Sequence, residues 1–185
     1  MIPTLSQVCS LNSPFRDDLE DYAAGHCRSI EIWLTKLESY LEQSKSSAAN
    51  IKQLLDDLGM TASVASYQGG LLMSQGEARK VAWESFAKRL DLCCEIGAKT
   101  VVVACDTTSP LSQVDVERIQ ASLLQLAKEV GQRGLRAALE FQAKAAFGNN
   151  LQTAAALVQE VGSPHLGICL DVFHFFTGPS KFSDL

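Results

Sequence analysis

The chain has 185 residues, 46% hydrophobic and 20% charged, which fits one globular domain with a substantial core at the usual ~150 residues per domain. Lys and Arg number 16 against 21 Asp and Glu, a net charge of -5, and no Lys/Arg cluster is available to displace counterions from nucleic acid. The longest apolar runs, such as Thr100 to Cys105, fall far short of the ~20 residues of a membrane helix, and Met1 to Ser6 lacks a secretory signal's basic stretch and apolar region. A cytoplasmic protein with neither nucleic-acid nor membrane partners is expected.

In chain order, a β-like run at Thr4 to Ser10 precedes a helical pattern at Phe15 to Ala24, and a second run at Ser29 to Leu34 precedes a helical stretch from Leu37 to Gly59, open to a break at its Ser-rich middle. Runs at Ala62 to Tyr67, Thr100 to Cys105, Arg136 to Phe141 and Gly167 to Phe173 alternate with helices at Gly76 to Ile96, Val114 to Arg133 and Asn150 to Val161. A further helix is expected to start at Lys181 to Asp184. Gly59, Gly97 and Gly134 each follow a helical period and precede a strand, the place of a left-handed helix cap. Asn149-Asn150 reads as an N-cap.

Strand, helix, strand alternation implies parallel βα units. The loop after the first strand, Cys9 to Pro14, holds no glycine, which disfavours a dinucleotide-binding sheet. A closed (β/α)₈ barrel takes about 250 residues, so the expected fold is an α/β TIM barrel with about six βα units, C-terminally incomplete, forming one domain over residues 1–185. The six cysteines, at 9, 27, 93, 94, 105 and 169, form no CxxC pattern and sit in apolar segments, so free, mostly buried thiols are expected.

In parallel α/β folds functional groups stand at the C-terminal ends of strands. Glu140 closes the fifth run and Asp171 the sixth, with His174 three residues on in Asp171-Val172-Phe173-His174. A carboxylate ending an apolar strand is costly to bury unless it meets a cation, a metal or hydrogen-bond donors. Two of them on consecutive strands, joined by an imidazole, suit Mg²⁺, Mn²⁺, Co²⁺ or Zn²⁺; the alternative is that each satisfies a loop backbone or an Arg. His174, among Phe173, Phe175 and Phe176, also fits a satisfied core histidine.

The run Leu139-Glu140-Phe141, followed by Gly167-Ile168-Cys169-Leu170-Asp171-Val172-Phe173-His174, resembles the xylose-isomerase-like TIM-barrel superfamily, which holds sugar phosphate isomerases and epimerases, inosose and dehydroshikimate dehydratases and an endonuclease. Ser29-Ile30-Glu31-Ile32-Trp33 and Tyr67-Gln68-Gly69-Gly70-Leu71-Leu72 add weaker matches. The resemblance implies that Glu140 and Asp171 bind a divalent metal and that His174 contacts substrate, with Glu140 and His174 the catalytic pair. It also implies a His and a Glu on seventh and eighth strands that lie beyond Leu185, so these residues supply half a metal site. The second glutamate of the ketose epimerases falls here at Ala146.

Further substrate-binding candidates are Trp33 and Tyr67, which can stack on a sugar ring, Gln7, Gln68 and Gln142, which can bond hydroxyls, and Lys144, which can hold a carboxylate or phosphate. Each has a plainer reading as packing under a loop or as exposed surface. Asp106 reads as a loop carboxylate or an extra ligand. The leading expectation is a metal-dependent sugar (phosphate) isomerase or epimerase acting on a small polyhydroxylated carbonyl compound through an enediolate. The alternatives are a dehydratase of the same fold and a non-catalytic barrel fragment or scaffold, which would expose strand edges and apolar faces and have to form a homo-oligomer, swap elements or act as a binding scaffold. The endonuclease activity fits poorly with three histidines and no basic groove.

Overall fold

A computed structural model describes residues 2–185. Along the chain run β1 (Leu5–Ser6), α1 (Phe15–Ala24), β2 (Ser29–Trp33), α2 (Leu34–Ser44), α3 (Ala48–Asp57), β3 (Thr61–Gln68), α4 (Gly76–Ile96), β4 (Thr100–Cys105), α5 (Gln113–Gln132), β5 (Arg136–Phe141), α6 (Leu151–Val161), β6 (Leu166–Cys169) and α7 (Val172–Thr177). They fall into two compact units, one of residues 2–67 with Arg89–Val101, the other of Gln68–Lys88 with Val102–Leu185. Among the described residues no helix is long and apolar enough to cross a membrane.

In the first unit β1 pairs in parallel with β2, Leu5 opposite Ile30, and β2 with β3, Trp33 opposite Ser66. Period-two alternation buries Ile30 and Ile32 fully and leaves Glu31 and Trp33 half-buried on the other face. Helices α2 and α3 bury Leu34, Leu37, Ile51 and Leu55. The expected break between them lies at Lys45, left-handed at φ 52°, and a capping box restarts the helix: Asn50 N donates to Ser47 Oγ at 3.2 Å and Ser47 N to Asn50 Oδ1 at 3.1 Å. Gly59, Gly97 and Gly134 are left-handed as expected, at φ 64°, 85° and 67°.

The first strand is shorter than its pattern suggests, because Gln7–Ser10 turns into a 3₁₀ helix with the Ser6 hydroxyl capping Val8 N. The turn buries Gln7 in a polar network the apolar pattern does not reveal. Gln7 Nε2 donates to Asp18 Oδ2 at 3.0 Å, and its Oε1 accepts from Trp33 N at 3.0 Å. Lys36 Nζ meets the same Asp18 oxygen at 2.5 Å and Ser10 O at 2.9 Å. The Asp18 and Lys36 side chains are only 1% and 10% exposed, so each charge depends on the other and on the amide. Gln7 therefore ties α1, β2 and the turn together, which corrects its reading as a hydroxyl-binding group.

In the second unit β4, β5 and β6 are neighbours in that order, and β5 pairs in parallel with β6 from Ala137 opposite Leu166 to Glu140 opposite Cys169. Phe141, Leu151, Ala154 and Phe175 form a buried cluster with Ile168 packed against it. Arg79 of α4 donates to Ser122 Oγ and Gln125 Oε1 of α5 and lies 5.2 Å over the Trp83 ring, joining those helices. The sixth strand stops at Cys169 instead of running to Phe173: Asp171 caps α7, so Phe173 lies on that helix, 68% exposed. Where a helix is expected to start, Phe182–Asp184 forms a 3₁₀ turn, with Lys181 N donating to Asp184 Oδ2 at 2.7 Å.

Among the described residues no disulfide forms, but only Cys93 and Cys105 are buried; Cys27 and Cys169 are half-buried, and Cys9 and Cys94 are exposed. Fewer thiols are buried than expected because Cys9 falls in the 3₁₀ turn and Cys94 on an outer face of α4. Burial, and then the neighbouring Cys94, pushes the Cys93 thiol up to about 12; burial and then the Asp106 charge do the same for Cys105.

Two outcomes follow from this packing. Asp18→Ala leaves a buried ammonium unpaired and is expected to cost about 3–5 kcal/mol in urea unfolding, whereas Asp18→Leu with Lys36→Met costs far less. At pH 8 a thiol-specific disulfide reagent is expected to label Cys9 and Cys94 in the native chain. Cys93 and Cys105 then react only after denaturant is added, as peptide mass mapping would check.

Candidate functional site

The β5–β6 pair sets the geometry of the acidic candidates. Along β5, Ala137, Leu139 and Phe141 are buried while Ala138 and Glu140 are half-buried, so the strand alternates faces up to its end. Phe141 belongs to the cluster of Leu151, Ala154 and Phe175, and Glu140 looks the other way. There the Cys169 thiol donates to Glu140 Oε1 at 3.9 Å, and Gln142 Nε2 donates to Glu140 Oε2 at 2.5 Å. Two residues past Cys169, Asp171 is still extended at φ -84°, ψ 118°. Both carboxylates thus stand at the C-terminal ends of adjacent parallel strands.

Asp171 is also a local structural residue. Its Oδ1 accepts from His174 N at 3.0 Å, the side-chain bond of a helix N-cap. Among the described residues its Oδ2 has no hydrogen-bond partner. The cap starts α7 and carries His174 with it. The His174 Nδ1 accepts from Ala143 N at 3.4 Å, so the neutral ring carries its proton on Nε2.

The loop after β5 is held from β4. Thr107 is buried; its Oγ1 donates to Phe147 O at 2.7 Å and accepts from Phe147 N at 2.8 Å, while Ala146 N donates to Thr107 O at 2.9 Å. Gly148 follows at φ 65°, where a Cβ would collide with Cys105 Sγ, so the loop requires glycine there. Asp106 accepts from Gly70 N at 2.7 Å, which makes it a loop carboxylate. Asn150 caps α6 through Thr153 N, as expected, and Ser180 Oγ accepts from Leu151 N at 3.0 Å. The Thr107 clamp has no sequence signal, since it joins residues forty positions apart.

The remaining candidates divide between the units. In the second, Lys144 is exposed and has no ion-pair partner among the described residues, and the buried Gln68 donates through Nε2 to Gly69 O at 2.6 Å. In the first, Tyr67 is 42% exposed, and its carbonyl accepts from Arg89 Nη1 at 3.2 Å. Trp33 lines a cleft of about 330 Å³ with Lys36 and Tyr40.

Among the described residues no three His, Cys, Asp or Glu side chains are grouped closely enough to hold a metal ion. Carboxylate oxygens are hard donors of the kind a divalent cation takes, and two such groups supply only part of a four- to six-ligand shell.

Residues 21–184 match the model of the xylose isomerase-like TIM barrel family. No curated protein matches the chain significantly. Among solved structures, a xylose isomerase-like TIM barrel/4-hydroxyphenylpyruvate dioxygenase fusion protein is 25% identical with a TM-score of 0.81, covering 92% of this chain and 27% of its own. The IolI protein with a bound zinc atom is 21% identical with a TM-score of 0.90, over 100% of this chain and 67% of its own. D-psicose 3-epimerase, solved in the presence of D-fructose, is 18% identical with a TM-score of 0.79, over 100% and 68%. The chain therefore spans from about a quarter to two thirds of the length of these structures, and the shared architecture is α/β with parallel strands of a TIM barrel. The chain belongs to the xylose isomerase-like TIM barrel family.

Proposed function

We propose that the chain carries part of the active site of a metal-dependent isomerase or epimerase acting on a small polyhydroxylated carbonyl compound, a sugar or sugar phosphate. One observation carries the reading: the β5–β6 register sets Glu140 opposite Cys169, which brings Glu140 and Asp171 to the same end of adjacent strands. These two carboxylates would hold a divalent ion, Mn²⁺, Mg²⁺, Co²⁺ or Zn²⁺, together with ligands from elsewhere. When bound, the ion supplies the positive charge that stabilises an enediolate as a proton leaves the carbon next to the carbonyl.

The chain's own groups then have distinct tasks. His174, with Nδ1 held by Ala143 N, presents an N–H at Nε2 that can donate to a substrate oxygen. Lys144 offers a mobile positive charge to a phosphate or carboxylate. In the second unit Gln68 offers a hydroxyl-bonding amide; in the first, Trp33 and Tyr67 are rings of the type that stacks on a sugar. Ala146 weighs against a ketose epimerase that uses a second glutamate there, so dehydration, which shares the first proton removal, is the second reading.

Zinc and manganese titrations by calorimetry, on the chain and on a Glu140→Gln, Asp171→Asn double variant, test this. Stoichiometric binding lost in the double variant is expected. Equal binding by both proteins, or by neither, would overturn the assignment of these carboxylates as ligands.

A further inference from the structure

Gln142 has the residue type of a substrate-binding amide, but its side chain is engaged elsewhere. Its Nε2 donates to Glu140 Oε2 at 2.5 Å, while the Cys169 thiol approaches Oε1 of the same carboxylate at 3.9 Å. A hydrogen bond to a charged acceptor is stronger than one between neutral groups, and the thiol is a weak donor, so the amide is the principal restraint of the two. With a donor at each oxygen, rotation of the carboxylate is confined and its remaining lone pairs keep a fixed direction.

The chemical type of these donors matters as much as their position. Lys or Arg would orient Glu140 equally well but would neutralise it, and a cation would then gain little from binding there. An amide or a thiol is uncharged, so as a donor it orients a carboxylate without neutralising it. We propose that Gln142, assisted by Cys169, is a positioning residue that sets the orientation of the Glu140 carboxylate, and that it does not serve as a substrate-binding group. The orientation rests on the geometry alone; its consequence for metal affinity rests on the function proposed above.

The experiment has two arms on the full 185-residue chain. In ¹⁵N–¹H spectra the Gln142 side-chain amide, assigned by its loss in Gln142→Leu, is expected downfield of the other glutamine amides. It should return among them in Glu140→Ala. In calorimetry with zinc chloride, Gln142→Leu is expected to weaken binding by ~10- to 100-fold, the usual range for a group that orients a ligand. Gln142→His, which restores an N–H donor, should recover most of that loss, and the melting temperatures of both variants should stay within a few degrees of the parent. An amide signal that is unshifted, or unmoved by Glu140→Ala, would overturn the proposal, as would unchanged zinc affinity in Gln142→Leu. A shifted, Glu140-dependent amide in a chain that binds no zinc would uphold the orienting bond and sink the metal reading instead.

Discussion

The register of β5 against β6 is the constraint on which the candidate site depends. Successive side chains point to opposite faces of a strand, so a slip of one residue would turn Glu140 into the cluster of Phe141, Leu151, Ala154 and Phe175. Burying a carboxylate among those groups without a partner costs several kcal/mol or forces it to protonate. The apolar cluster therefore does more than stabilise the second unit. By claiming Phe141 and Ile168 it dictates which face Glu140 and Cys169 must share, and so where negative charge is available.

Local capping chemistry then finishes what the register begins. Asp171 uses one oxygen to start α7, a bond of the kind usually worth ~1 kcal/mol, and the helix it starts carries His174. His174 in turn receives Ala143 N, from the loop that Thr107 clamps at Phe147. A chain of ordinary backbone satisfactions thus runs from β4 through the loop after β5 to the imidazole. Gly148 belongs to this chain, because only a residue without a Cβ lets the loop pass Cys105.

Much of this was legible in the sequence where the signal is local. The runs at Thr100 to Cys105 and Arg136 to Phe141 coincide with β4 and β5 because apolar β-branched or alternating residues end abruptly there. Asp171 and His174 were singled out by spacing, but the same spacing is that of an N-cap, and the alternation through Val172 and Phe173 hid the end of β6. Bonds between distant positions were not legible. Nothing near Gln7 announces that its partners are Asp18 and Trp33, and nothing near Gln142 tells a hydroxyl-binding amide from one that holds Glu140.

If Asp171 binds a cation as proposed, two properties that are usually separate would be coupled: a charge near its Oδ2 would draw on the same group whose Oδ1 holds His174 N, and occupancy and helix orientation would act on one side chain. Strengthening the cap would direct Oδ2 more firmly; weakening it would free both the carboxylate and the imidazole. Glu140 differs in that a side-chain amide and a thiol donate to it and it caps no helix among the described residues. The two carboxylates are therefore oriented by different means, one by backbone and one by side chains.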